Sequence, residues 1–247
     1  MSVAWPAAAA AAGHVLVDCS LDDEIVVEGT DGHHLQRVRR LRAGEPMTAG
    51  DGVGGWRRYR ISEAGGGRLV LQALDDVCRE PELEPALAVA FALTKGDRIE
   101  NVVARLTELG VDRLIPLQAE RSVVRWGADR AEAARARLVR VAREACAQCR
   151  RARLPVLEVP RRVEDLVGHI GLVVADRDGA PVGELDLPGP GGWLVVVGPE
   201  GGLSDAECTL LGHAPRMGVG PHVLRAETAA VAAAAVLAGR RVIQTDH

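Results

Sequence analysis

A single carboxylate, Glu200, stands in the turn Gly198-Pro199-Glu200-Gly201-Gly202, with three glycines and a proline around it. So few side chains crowd this turn that its backbone can come close to a ligand, and a carboxylate there can accept a proton or a hydrogen bond. Residues 194–197, just before it, are a continuous apolar run (Leu-Val-Val-Val), the pattern of a strand buried on both faces of a parallel sheet. Ser204 and Glu207 form a capping box, so a helix is expected directly after the turn. A turn at the carboxyl end of a parallel strand, leading into a helix, is where open α/β sheets bind ligands. A second dense stretch follows at 217–228, Met-Gly-Val-Gly-Pro-His-Val-Leu-Arg-Ala-Glu-Thr, and places Arg225 and Glu227 at the head of a helix expected over 226–238.

Other spacings that could carry chemistry fail on context. Residues 50–55 satisfy the GxGxxG spacing of a dinucleotide turn, but an alternating strand follows where that motif needs a helix, so the segment is expected to be a hairpin loop. Cys146 and Cys149 have CxxC spacing inside a helical pattern without a second cysteine pair, and His33-His34 has no metal-binding context, so no metal site is expected. Arginine is dense between residues 120 and 162, where twelve arginines stand against five acidic residues, a local balance of +7 on a chain of net charge -4. With the arginines of 37–42 this resembles two phosphate-binding regions, and arginine in place of lysine favours bidentate contacts. Solvated helix faces are the alternative.

The elements that would position these residues fall into two groups. Strand-like pieces at 15–17, 24–27, 45–48, 56–61 and 68–74, separated by turn residues, suggest a small barrel. A helical turn over 33–42 carries Leu35, Val38 and Leu41 on one face. The Pro-rich acidic segment 80–85 is the expected joint, dividing the chain into domains 1–80 and 85–247. Beyond it strands are expected at 86–93, 114–117, 156–159, 172–175, 194–197 and 217–219, alternating with helices at 97–109, 128–149, after Arg162 and at 226–238. That order argues for a parallel sheet with helices on both faces. The 247 residues suffice for such a core. Five scattered cysteines fit reduced thiols and a cytoplasmic location. No apolar run approaches the roughly 20 residues of a membrane span. The alanine-rich N-terminus lacks the basic start of a secretory signal, and a frayed end is expected there.

The pair 198–204 and 220–229 resembles the paired signature of the RsmE-type ribosomal RNA uridine-N3 methyltransferases. The likeness extends to His33-His34 through Gly44-Glu45, Lys95-Gly96-Asp97-Arg98, residues 107–111, Glu120-Arg121-Ser122 and residues 143–151 of the long helix. It implies an α/β SPOUT-type parallel sheet with a C-terminal trefoil knot, preceded by a small PUA-like β-barrel that binds RNA. It implies S-adenosyl-L-methionine as cofactor, held by the Asp176 region and by Gly198, Pro199, Glu200, Gly201, Gly202, Met217, Val219, Gly220, Val223 and Leu224. The implied substrate is 16S ribosomal RNA in the small ribosomal subunit, and the implied assembly is a homodimer, with no membrane partner. His222 stands where many members have arginine, Arg105 replaces a frequent lysine, and Ala147 replaces a polar residue.

Ionising uridine N3 costs roughly 2 to 3 kcal/mol at neutral pH if its pKa lies about two units above 7. Arg225 is the candidate for pairing with the developing negative oxygen, and Glu227 or Glu200 for accepting the proton. Arg37, Arg39, Arg40, Lys95, Arg121, Arg150 and Arg151 are the expected contacts to RNA phosphate. Competing readings are an RNA-binding assembly factor without turnover, and a SPOUT enzyme acting on transfer RNA or another ribosomal position.

Overall fold

The computed structural model describes residues 5–6, 9–94 and 98–243. They form two compact units: residues up to Glu82 with Arg143–Leu154, and Leu83–Ala142 with the residues from Pro155 onward.

The first unit contains β1 (His14–Leu16), β2 (Glu24–Val27), α1 (Gly29–Arg37), β3 (Pro46–Gly50), β4 (Gly55–Gly65), β5 (Arg68–Ala73) and β6 (Cys78–Arg79). The sheet order is β1-β3-β4-β5-β2, with β6 beside β4. In β2 the side chains alternate, Ile25 and Val27 buried and Glu24 and Val26 exposed, as the two-residue period of a strand demands. Val15 and Val17 at one edge and Ile25 and Val27 at the other enter one core with Met47, Tyr59, Ile61, Leu69 and Leu71, the packing of a barrel-like sheet. Residues 51–54 are a hairpin loop as expected: Asp51 accepts the amides of Val53 and Gly55, and β3 and β4 pair antiparallel.

The helix lies earlier than the 33–42 expected from periodicity. It begins at Gly29 and ends at Arg37, so Val38 lies outside it and is exposed while Leu35 and Leu41 are buried. Tertiary contact overrides propensity here. Gly32 lies so close to the β4–β5 hairpin that a Cβ would sit 2.1 Å from the Gly67 carbonyl, and Gln36 bonds both Arg68 O (2.6 Å) and Gly67 N (2.8 Å). The expectation of a frayed N-terminus needs a similar correction, because Arg150 donates to the carbonyls of Ala9 and Ala11 and ties that stretch down. Residues 1–4 and 7–8 lie outside the described residues.

The second unit contains β7 (Leu83–Glu84), β8 (Leu87–Ala92), α2 (Arg98–Glu108), β9 (Arg113–Leu117), α3 (Ala128–Cys149, its end belonging to the first unit), β10 (Val156–Leu157), a 3-10 turn (Val163–Leu166), β11 (Leu172–Pro181), β12 (Trp193–Val197), α4 (Asp205–Leu211), β13 (Arg216–Gly218), α5 (Ala226–Ala238) and β14 (Val242–Ile243). Six strands form a parallel sheet in the order β10-β9-β8-β12-β11-β13, and β14 pairs antiparallel with β7. One face packs Ala88, Ala90, Ile115, Leu117, Leu194 and Val196 against Val163, Leu166 and Leu211. On the other, α5 lies on β8 and β12, and α2 lies on α5. Because the strands are parallel, the loops after β8, β9, β11, β12 and β13 gather at one edge.

Cys146 is buried in α3, and burial pushes its thiol up to about 12; a thiol held protonated is inert. Among the described residues no cluster of metal-ligating side chains occurs, and no helix is long and apolar enough to cross a membrane.

Candidate active site

The turn after β12 is clamped from its back. Arg121, from the loop after β9, donates to the carbonyls of Gly201 (3.3 Å) and Leu203 (3.1 Å). The capping box is formed as the sequence predicts: Ser204 Oγ accepts the Glu207 amide at 3.1 Å, and Glu207 Oε2 accepts the Ser204 amide at 2.8 Å. The other oxygen of Glu207 accepts the Glu120 amide at 2.8 Å. One buried carboxylate thus locks two of the loops at this edge together and caps α4, which leaves Gly198 to Gly202 shaped in advance. Glu200 is exposed and makes no ion pair among the described residues.

The second wall comes from β11 and β13. Met217 pairs with both Ala175 and Ala180, so residues 176–179 loop out and return to the same strand. A Cβ at Gly179 would lie 2.6 Å from the backbone of Arg216 and Met217, so only glycine allows this approach. Asp176 bridges to Arg216 at 2.7 Å and holds that guanidinium charged. Met217 is buried, Val219, Gly220 and Leu224 are half-buried, and Val223 is exposed. Cβ atoms at Gly202 and Gly220 would enter open space, and the Thr94 hydroxyl beyond the end of β8 is buried without a partner among the described residues. A glycine-rich backbone cradle with an apolar floor and a spare hydroxyl fits a nucleoside-like cofactor, whose hydroxyls and ring nitrogens need hydrogen bonds and whose ring needs apolar contact.

The three candidate catalytic side chains differ in setting. Arg225, the residue before the first turn of α5, is exposed, and its guanidinium makes no ion pair among the described residues. Glu227 is largely buried, its Oε1 3.6 Å from Arg98 Nη1 and its Oε2 buried without a partner among the described residues. It lines a groove of about 450 Å³ between α2 and α5 with Arg98, Asn101, Arg105 and Thr228. In the sequence Arg98 stands only as the end of the 95–98 segment, and no spacing singles it out; its contact with Glu227 joins residues 129 apart.

The expected phosphate contacts divide sharply. Arg37, Arg39 and Arg40 are exposed with no ion pair among the described residues. Lys95 lies outside the described residues. Arg151 is buried, Arg150 is spent on the Ala9 and Ala11 carbonyls, and Arg121 on the glycine turn. Arg150 and Arg151 therefore act as internal braces rather than surface contacts, whereas Arg121 braces the turn and stays half-exposed. Much of the rest of the arginine-rich segment is engaged in ion pairs, most of them at the surface: Arg143 pairs with Asp18, Arg137 with Glu100, Arg135 with Glu132, Arg153 with Glu82, Arg161 with Glu158 and Arg162 with Glu164. A local charge count misses acids that the fold imports from elsewhere in the chain.

With this geometry in place, comparison with known proteins is decisive. The RNA methyltransferase domain family matches residues 81–238, and the RNA methyltransferase PUA domain matches residues 27–74. The chain belongs to the RNA methyltransferase family. The ribosomal RNA small subunit methyltransferase E of Mycobacterium bovis is 36% identical over 219 residues, which cover 84% of this chain and 83% of that protein. The methyltransferase E of Bacillus subtilis is 29% identical over 82% of this chain and 85% of its own. Among solved structures, a methyltransferase of Legionella pneumophila in complex with its bound cofactor SAM superposes with a TM-score of 0.81 at 25% identity, over 92% of this chain and 97% of that one. The methyltransferase E of Neisseria gonorrhoeae, bound to S-adenosyl methionine, gives 0.81 at 23% identity over the same shares. The expected fold class is thereby established for this RNA methyltransferase: a SPOUT-type α/β domain with a parallel sheet, together with a PUA domain.

Proposed function

We propose that this RNA methyltransferase uses S-adenosyl-L-methionine to methylate N3 of a uridine in 16S ribosomal RNA of the small ribosomal subunit, as a cytoplasmic homodimer. The observation that carries the reading is the pre-shaped glycine turn at 198–202, at the same sheet edge as Met217 and as Arg225, which has no ion pair among the described residues. The relatives named for small-subunit ribosomal RNA and the structures with SAM bound support the substrate and the cofactor. Five free cysteines support a reducing compartment.

The backbone of Gly198, Pro199, Glu200, Gly201, Gly202, Val219 and Gly220 would hold the cofactor, with Met217, Val223 and Leu224 against its apolar parts. Bound there, the cofactor supplies an electrophilic methyl group. Arg225 meets the negative charge that grows on the uracil oxygen as N3 loses its proton, a donor fixed before the charge develops. Glu227, whose Oε2 has no donor among the described residues, or Glu200 accepts the proton. Arg37, Arg39 and Arg40 hold RNA phosphate. We assign residues 1–80 to RNA binding and 85–247 to catalysis.

The test is incubation of the purified protein with labelled cofactor and unmodified small subunits, followed by mass-spectrometric mapping. One methyl group on N3 of one 16S uridine is expected. Label confined to transfer RNA, or none with intact cofactor binding, overturns the reading.

A further inference from the structure

The ion pair between α2 and α5 is hard to account for as a stabilising contact. Arg98 is the first described residue of α2, where the helix dipole disfavours a cation. Its side chain is half-exposed, and pairs with so much solvent on one side contribute little to stability. Glu227, by contrast, is only 22% exposed and keeps Oε2 buried with no hydrogen-bond donor among the described residues. A buried carboxylate oxygen without a protein donor calls for an explanation. Among the described residues Arg98 is the cation in contact with this carboxylate, because Arg105, the other arginine of the groove, pairs with Glu108 instead. Glu227 in turn lies two residues beyond Arg225, in the first turn of the helix before which Arg225 stands.

We infer that Arg98 is a positioning residue for methyl transfer and acts through Glu227. By contacting Oε1 it leaves Oε2 as the oxygen without a donor among the described residues, and it holds the first turn of α5, which directly follows Arg225. The inference rests on the assignment of Arg225 and Glu227 to the reacting uridine. A shift of about 1 Å in such a group costs on the order of 100-fold in rate, so a weak ion pair suffices to matter for catalysis while contributing little to folding.

The test uses the full-length protein and small subunits in the labelled-cofactor assay, with Arg98→Met, Arg98→Lys, Glu227→Gln and the Arg98→Met/Glu227→Gln double variant. Arg98→Met is expected to lower kcat about tenfold or more, with KM for S-adenosylmethionine within about twofold of wild type. Arg98→Lys keeps a charge within reach and is expected to recover most of the rate. The double variant is expected to be no slower than the slower single one, since the two residues act as a unit. Wild-type kcat in Arg98→Met, or fully multiplicative losses in the double variant, overturns the inference while the parent reading stands. The inference also falls if Arg98→Met loses thermal stability and cofactor binding in step with kcat, which marks a scaffold contact. A wild-type protein that methylates nothing on the small subunit overturns the parent reading and this inference with it.

Discussion

At the scale of single residues, the structure separates side chains that the sequence can only rank by type. Arg225 and Glu227 are equally plausible as signature residues, yet one is exposed and unpaired among the described residues while the other is largely buried against Arg98. Arg225→Ala is expected to slow methyl transfer by about 100-fold or more. Because Arg225 makes no side-chain cap to α5, calorimetry should show cofactor affinity within about threefold of wild type, as expected for an interaction made only in the transition state. Normal turnover would remove Arg225 from the mechanism. The arginines illustrate what residue type alone conceals. Arg143 and Arg137 look like free cations in a basic helix, but Asp18 and Glu100, respectively, neutralise them, and those partners are 125 and 37 residues away in the sequence.

At the scale of elements, local signals serve well wherever the local chain decides the outcome. The capping box at Ser204 and Glu207 is formed, α3 and α5 run over the expected residues, and residues 194–197 are buried on both faces. Where a distant backbone decides, local signals fail: α1 starts in a glycine-containing segment because Gly32 meets the β4–β5 hairpin, and β11 runs on to Pro181 because Gly179 lies against β13. Gly179→Ala places a methyl group 2.6 Å from backbone atoms that cannot yield. It is expected to destabilise the second unit by about 2–3 kcal/mol and to lower its Tm by roughly 5 °C or more. Gly183→Ala, where nothing lies within 4 Å, should leave the melting curve unchanged. A Gly179→Ala protein that melts like wild type would show that the two strands separate more easily than the packing implies.

For the molecule as a whole, two bulk properties follow from where the fold puts charge. If Arg37, Arg39 and Arg40 hold phosphate, the logarithm of RNA affinity should fall with the logarithm of salt with a slope steeper by about 2 than in the triple alanine variant, as three single-strand contacts require. Arg135→Ala, which removes a cation already paired with Glu132, should leave the slope unchanged; equal slopes for wild type and the triple variant would place the RNA elsewhere. The second property is acid lability. Burial beside Thr48 lowers the His14 imidazole from 6.5 to about 4, so between those values the unfolded chain binds a proton that the folded one excludes. The stability tied to this group is complete above pH 6.5 and is lost as the pH falls through 4, about 3 kcal/mol in all. Denaturant midpoints should therefore drop between pH 6.5 and 4 and drop less in His14→Asn; parallel curves would assign the acid limb to other groups. By itself the sequence determined the two-part organisation, the parallel sheet and the glycine turn at the end of its buried strand, because hydrophobic period, capping and turn chemistry act over a few residues. Only the tertiary structure decided which cations remain free, where α1 begins and that Arg98 faces Glu227, because each of those outcomes depends on a partner that folding brings from far along the chain.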